Sequence, residues 1–222
     1  MLLAVDTSTA QIGLALYDGT QVLAEIIWTS RQHHTAELAP ALAGLLAHAG
    51  STMDEVSALA VAIGPGSFTA LRVGLAFVKG VSLARRLPLV GIPSLDILAA
   101  QQPPTRIPVM AVLRAGRERL AVGRYKADKN GWHSQGPARL ETVKSLADSI
   151  TIPTLICGEL TADERQRLAR KRANVILASP AQCVRRPAVL AELAWSHWQS
   201  GKVDEPASLA PIYLHTDDPA RT

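Results

Sequence analysis

The chain has 222 residues, 48% of them hydrophobic, with 23 Lys and Arg against 19 Asp and Glu and a formal net charge of +4. That is apolar material for one large domain or two small ones. The charge is far below the dense basic surface of a stand-alone nucleic-acid binder. The longest apolar region, Phe68 to Ala84, is broken by Arg72, Gly74, Lys79 and Gly80 and falls short of the ~20 apolar residues that cross a bilayer. Cys157 and Cys183 are the only cysteines and form no CxxC, so neither a zinc knuckle nor a disulfide framework is suggested. Asp6 interrupts the apolar start with no basic leader. A cytoplasmic protein with reduced thiols, neither exported nor membrane-bound, is expected.

In chain order, Leu2 to Ser8, Gln11 to Tyr17 and Gln21 to Trp28 read as three strands in a meander, the last two joined by the turn Asp18-Gly19-Thr20. A helix is expected from Thr35 to Ala49, a strand at Ala58 to Ile63, a long helix from Ser67 to Arg86, a strand at Pro88 to Ile92 and a helix from Ser94. This βββαβαβα order builds a mixed sheet flanked by helices. Gln101-Gln102-Pro103-Pro104-Thr105 stops any helix and marks a boundary. The expected units are therefore 1–102 and 103–222, the second smaller in content and diverged.

The second unit repeats the order: strands Ile107 to Leu113, Arg119 to Tyr125 and about Ser134 to Leu140, a helix Glu141 to Ile150, a strand Pro153 to Cys157, a helix from Thr161, a strand Asn174 to Ala178 and a last helix Pro187 to Gln199. The helix from Thr161 opens on a capping box, Thr161-Ala162-Asp163-Glu164, and carries the basic run Arg165 to Arg172. Acids at its start and bases at its end suit the helix dipole, so a solvated helix is preferred to an RNA-contact patch.

Two segments hold chemistry-bearing residues. Gly64-Pro65-Gly66-Ser67 lies between an apolar strand and a long helix. Its glycines permit close approach and Ser67 can cap the helix. It reads either as an anion cradle at a helix N-terminus or as a tight turn, and it is not a P-loop, because no Lys follows the second glycine. Asp6-Thr7-Ser8-Thr9 falls at the first hairpin, where such residues also make turns.

Together, Asp6-Thr7-Ser8-Thr9 and Gly64-Pro65-Gly66-Ser67-Phe68-Thr69-Ala70-Leu71-Arg72-Val73-Gly74 resemble the Asp-Thr-Ser start and Gly-Pro-Gly-Ser-Phe-Thr-Gly-Leu-Arg-Ile-Gly signature of the TsaB (YeaZ) family. Pro88 to Leu95, His33 to Glu37 and Pro211 to Leu214 extend the match. The resemblance implies two actin-like, RNase H-like βββαβαβα lobes. In actin-like folds the first hairpin holds metal and phosphate, so Asp6, Thr7, Ser8, Gly64, Pro65, Gly66 and Ser67 stand as a relic phosphate loop. It further implies a non-catalytic scaffold, with no cofactor of its own, in the synthesis of N6-threonylcarbamoyladenosine in tRNA. Such a scaffold binds the catalytic paralogue TsaD, works beside the ATPase TsaE, and reaches tRNA only through the complex, while TsaC supplies threonylcarbamoyl-adenylate.

The resemblance also places Ser94 and Leu98 where TsaD carries two metal-binding histidines; Leu98 cannot ligate a metal. His33, His34, His48, His133, His197 and His215 are scattered and rebuild no site. Leu113-Arg114-Ala115-Gly116 replaces the family's Asp-Ala-Arg, so the acid of the second lobe is missing. No catalytic or metal residue is expected, the alternative being a small-molecule kinase or ATPase of the same fold. The two long helices of the first unit are apolar around most of their girth. Leu38, Leu42, Leu45, Leu46, Ala70, Val73, Gly74 and Phe77 are the expected partner surface, pairing with a second copy when TsaD is absent. The other reading is that the second lobe or a loop covers them.

Overall fold

In the computed structural model, residues 1–30, 33–116, 119–170 and 173–214 are described. In the first unit, Leu2–Asp6 (β1), Gln11–Tyr17 (β2), Val22–Thr29 (β3), Ala58–Ala62 (β4) and Leu89–Ile92 (β5) form a sheet of order β3-β2-β1-β4-β5. The hairpins β1–β2 and β2–β3 are antiparallel, whereas β4 lies parallel to β1 and to β5. Each parallel step needs a crossover, supplied by His34–His48 (α1) and Phe68–Arg85 (α2).

β1 and β4 are buried at every position, as strands covered on both faces must be. Their pleat sorts residues by size. Leu3, Val5, Leu59 and Val61 meet the leucines of α1 and the inner side of α2. Leu2, Ala4, Ala58, Ala60 and Ala62 face the other way, against Ala188, Leu190, Ala191 and Ala194 of Pro187–Gln199, the last helix (α6). The short alanine side chains let that helix approach closely.

This corrects the expected division. The units are Met1–Ile97 with Arg185–Ile212, and Leu98–Val184 with the segment beginning at Tyr213. α6 belongs to the first sheet because that sheet has a second apolar face to cover, which periodicity within the helix does not reveal. The first break falls inside Ser94–Ala100 (α3) rather than after Gln102. Leu98 is fully buried, and its carbonyl accepts from Cys157 Sγ at 3.7 Å within the second unit.

In the second unit, Val109–Arg114 (β6), Arg119–Asp128 (β7), Gly131–Ser134 (β8), Arg139–Thr142 (β9), Thr154–Gly158 (β10) and Val175–Leu177 (β11) form a sheet of order β11-β10-β6-β7-β8, with β9 also on β7. β6 has an antiparallel neighbour in β7 and a parallel one in β10, as β1 has in β2 and β4. The two units thus share one topology. The expected single third strand is two short ones, β8 and β9, with Gly136 at φ +134° and Pro137 between them. Val143–Ser149 (α4) and Ala162–Ala169 (α5) cover this sheet, and the capping box at Thr161 and Glu164 is formed. Arg165 Nη2 donates to Ala178 O at 2.7 Å and Arg167 pairs with Asp163 at 2.7 Å. Lys171, Arg172 and His215 lie outside the described residues. Among the described residues no helix is long and apolar enough to cross a membrane.

Candidate functional site

Because β1, β4 and β5 are parallel, their carboxyl ends lie at one edge, the position where open α/β sheets bind ligands. There the structure brings together the hairpin Asp6 to Thr9, the loop Gly64 to Ser67 and Ser94. Asp6, Thr7, Ser8, Thr9 and Ser94 are all buried, so each polar group needs a partner. Asp6 Oδ1 accepts from Ser8 N at 2.8 Å. Asp6 Oδ2 accepts from Arg185 Nε at 2.8 Å, with the two side chains 3% and 1% exposed. Arg185 Nη2 also donates to Thr9 Oγ1 at 2.9 Å, and its backbone N–H donates to Gln11 Oε1 at 3.0 Å.

The loop is closed onto the hairpin. Ser67 N donates to Ser8 O at 2.7 Å, and a Cβ on Gly66 would lie 2.1 Å from that same carbonyl. Glycine is required here by close approach. Gly64, at φ +100°, donates its N–H to Ser94 Oγ at 3.0 Å and accepts from Ser94 N at 2.8 Å. Ser94 Oγ shares a further hydrogen bond with Ser8 Oγ, 2.6 Å away. Pro65 is buried, and Thr7 Oγ1 donates to Ala70 O at 2.8 Å. Ser67 occupies the N-cap position of α2, but its side chain makes no capping bond, which corrects the expected role. The segment forms a tight turn against the hairpin.

The expected partner surface needs a larger correction. Leu38, Leu42, Leu45 and Leu46 are at most 8% exposed and belong to the unit's own core; Ala70 and Gly74 are buried as well. Spacings of four, seven and eight residues put the leucines on one helical stripe, and that stripe is the one facing the sheet. Val73 and Phe77 remain half-buried at the surface. With Thr35, Phe68, Arg72 and Ala76, and the edge of Leu38, they line an open groove of ≈ 450 Å³ between α1 and α2. Phe68 is 52% exposed, and Arg72 stacks its guanidinium 3.7 Å from the Phe68 ring centroid.

A family model described as TsaD, tRNA N6-adenosine threonylcarbamoyltransferase, matches residues 21–173. The tRNA threonylcarbamoyladenosine biosynthesis protein TsaB of Escherichia coli is 31% identical over 137 residues, which span 60% of this chain and 59% of that protein. YeaZ from Pseudomonas aeruginosa superposes with a TM-score of 0.79 at 24% identity, over 96% of this chain and 99% of the other. The chain belongs to the TsaB (YeaZ) family, with the actin-like ATPase fold. A more distant chain of that fold is the activator of the 2-hydroxyisocaproyl-CoA dehydratase from Clostridium difficile, solved with bound ADPNP; it has a TM-score of 0.52 at 11% identity, over 92% and 98% of the two chains.

In the second unit, Arg114 ends β6. Its Nη1 donates to both oxygens of Glu164, at 3.1 and 3.0 Å, while Glu164 Oε2 also accepts from Thr161 N at 2.7 Å. Arg114 is thus held by the carboxylate of the α5 capping box. Histidines serve local structure: His34 Nε2 meets Thr9 O at 3.0 Å and His48 Nδ1 meets Gly44 O at 2.7 Å. Among the described residues, no three His, Cys, Asp or Glu side chains gather as metal ligands.

Sequence reasoning missed Arg185. It lies 179 residues from Asp6, in the plain dipeptide Arg185-Arg186 ahead of a helix. Pro187 at the helix start was the sole local signal that a chain turn, and so an anchored residue, falls there.

Proposed function

We propose that this chain is a non-catalytic subunit in the formation of N6-threonylcarbamoyladenosine in tRNA, binding and activating the catalytic paralogue TsaD. The observation that carries the reading is the α1–α2 groove of a TsaB-family chain: an apolar, open surface of Phe68, Val73, Ala76 and Phe77 with Arg72 at its wall. Such a surface fits a partner helix, because apolar side chains fill the groove while Arg72 can meet an acidic group at the rim. Without TsaD, the same groove takes a second copy about a two-fold axis. TsaE joins the assembly, and tRNA is met through the complex.

Support for the absence of catalysis comes from side chains in place. Arg114 stands where the family's second-lobe acid is expected, Leu98 cannot ligate a metal, and Ser94 is consumed in the Ser8 and Gly64 hydrogen bonds. Those three side chains do not supply the second-lobe acid or the metal ligands that phosphoryl transfer demands.

The deciding experiment is co-purification with TsaD from the same organism, followed by a tRNA modification assay with and without the chain. Modification that depends on the chain, with no ATP turnover by the chain alone, is expected. Modification at full rate without it, or turnover of MgATP by the isolated chain, overturns the reading.

A further inference from the structure

The fold family implies a metal ion and phosphate at the first hairpin, and the residues here do not fit them. Each oxygen of Asp6 is already engaged: Oδ1 by Ser8 N at 2.8 Å and Oδ2 by Arg185 Nε at 2.8 Å. A divalent ion at that carboxylate would face a guanidinium already in hydrogen-bond contact with it, and like charges this close repel strongly in a buried setting. On the phosphate side, Ser67 N and Gly64 N point at Ser8 O and Ser94 Oγ instead of outward.

We propose that Arg185 is the permanent occupant of this position, a covalently tethered cation that neutralises Asp6 and excludes a divalent ion, so that nucleotide phosphates lose the metal that would bridge them to the first unit. Arg185 is held from several sides at once. Its backbone N–H donates to Gln11 Oε1 at 3.0 Å, and Nη2 donates to Thr9 Oγ1 at 2.9 Å and to Gln11 O at 3.4 Å. The next residue, Arg186, donates from Nε to Glu25 Oε2 at 3.0 Å, and Glu25 Oε1 accepts the α6 amide of Ala188 at 3.0 Å. Pro187 then sits against Gly13 so closely that a Cβ there would lie 2.9 Å from its Cγ. Arg185 therefore cannot swing away unless the start of α6 lifts from the sheet, where Leu190, Ala191 and Ala194 are fully buried. The occupant is thus tied to the core of the unit, and its release is coupled to unfolding of that helix. The inference rests on the geometry of the first unit, independently of any role in tRNA modification.

The test uses the full chain and Mn²⁺ as probe, followed by electron paramagnetic resonance and by thermal melting. The wild type is expected to bind no Mn²⁺ in the millimolar range, to behave like Asp6→Asn in this respect, and to show no heat on titration with MgADP. Arg185→Ala leaves a buried carboxylate without its cation. That variant should melt lower and regain on the order of 5 °C with millimolar Mn²⁺, while Asp6→Asn/Arg185→Ala should not respond. Mn²⁺ binding to the wild type that Asp6→Asn abolishes would overturn the proposal, as would an Arg185→Ala protein that folds yet ignores Mn²⁺. If Arg185→Ala does not fold, the wild type against Asp6→Asn decides alone: the proposal stands if neither binds the ion and falls if only the wild type does.

Discussion

Gly74 of α2 crosses Thr7 so closely that a Cβ on it would lie 2.1 Å from Thr7 Oγ1, the atom that donates to Ala70 O at 2.8 Å. The long helix is therefore pinned to the end of β1 by the lack of a side chain at one position and a hydroxyl at the other. Gly74→Ala must push the helix off the hairpin, at a cost of about 1–3 kcal/mol for overpacking. Gly44→Ala and Gly80→Ala meet nothing within 4 Å and should instead stabilise by about 0.5–1 kcal/mol, the helix cost of glycine. Urea denaturation of the three variants checks the opposite signs.

Ser94→Ala removes the acceptor of Gly64 N and the partner of Ser8 Oγ together, both in a buried site. A loss of about 1–3 kcal/mol is expected from the groups left unpaired. A stability equal to wild type would mean that the loop Gly64 to Ser67 can satisfy itself otherwise.

Arg114 and Glu164 are unequal partners, with side chains 43% and 11% exposed. Arg114→Ala should cost less than about 1 kcal/mol, since a pair open to water on one side is weak. Glu164→Ala also takes away the capping-box acceptor of Thr161 N and should cost about 1–2 kcal/mol. A double-mutant cycle by chemical denaturation separates the pair from the cap.

On the groove, Ala76→Glu projects from an exposed position and should leave the melting temperature nearly unchanged while weakening TsaD capture by at least about tenfold. Ala70→Glu, at a site 3% exposed, should fail in folding first. Undiminished capture by Ala76→Glu would move the interface elsewhere.

Cys157 is fully buried. Burial chiefly, and the charge of Cys183 secondarily, push its thiol well above the ordinary value. The unfolded chain therefore gives up this proton at a pH where the folded chain still holds it. The stability that the neutral thiol contributes is intact below the unfolded value, then falls as pH rises from about 8.5, by up to about 1.4 kcal/mol per pH unit. Denaturation at pH 8 and 10 should show this alkaline loss diminished in Cys157→Ala.

The sequence by itself determined most of the elements, though not the split of β8 from β9, because hydrophobic period and turn residues are local. The alternation in Gln11 to Tyr17 and the turn Asp18-Gly19-Thr20 gave a hairpin, and Thr161 with Glu164 gave a capped helix. It determined the inventory at the sheet edge as well, since Asp6, the Gly64 to Ser67 loop and Ser94 follow strands that topology must align. Tertiary structure decided what those residues meet. The stripe of Leu38, Leu42, Leu45 and Leu46 is equally visible whether it faces a partner or a sheet; only the buried face of β1 and β4 settles that it faces inward. Likewise α6 shows one apolar side in any context, and its place was set by the alanine face of Ala4, Ala58, Ala60 and Ala62. Arg185 reaches Asp6 because that helix docks there. An ion pair across 179 residues has no local signature, since the energy that selects it is the cost of burying either charge alone.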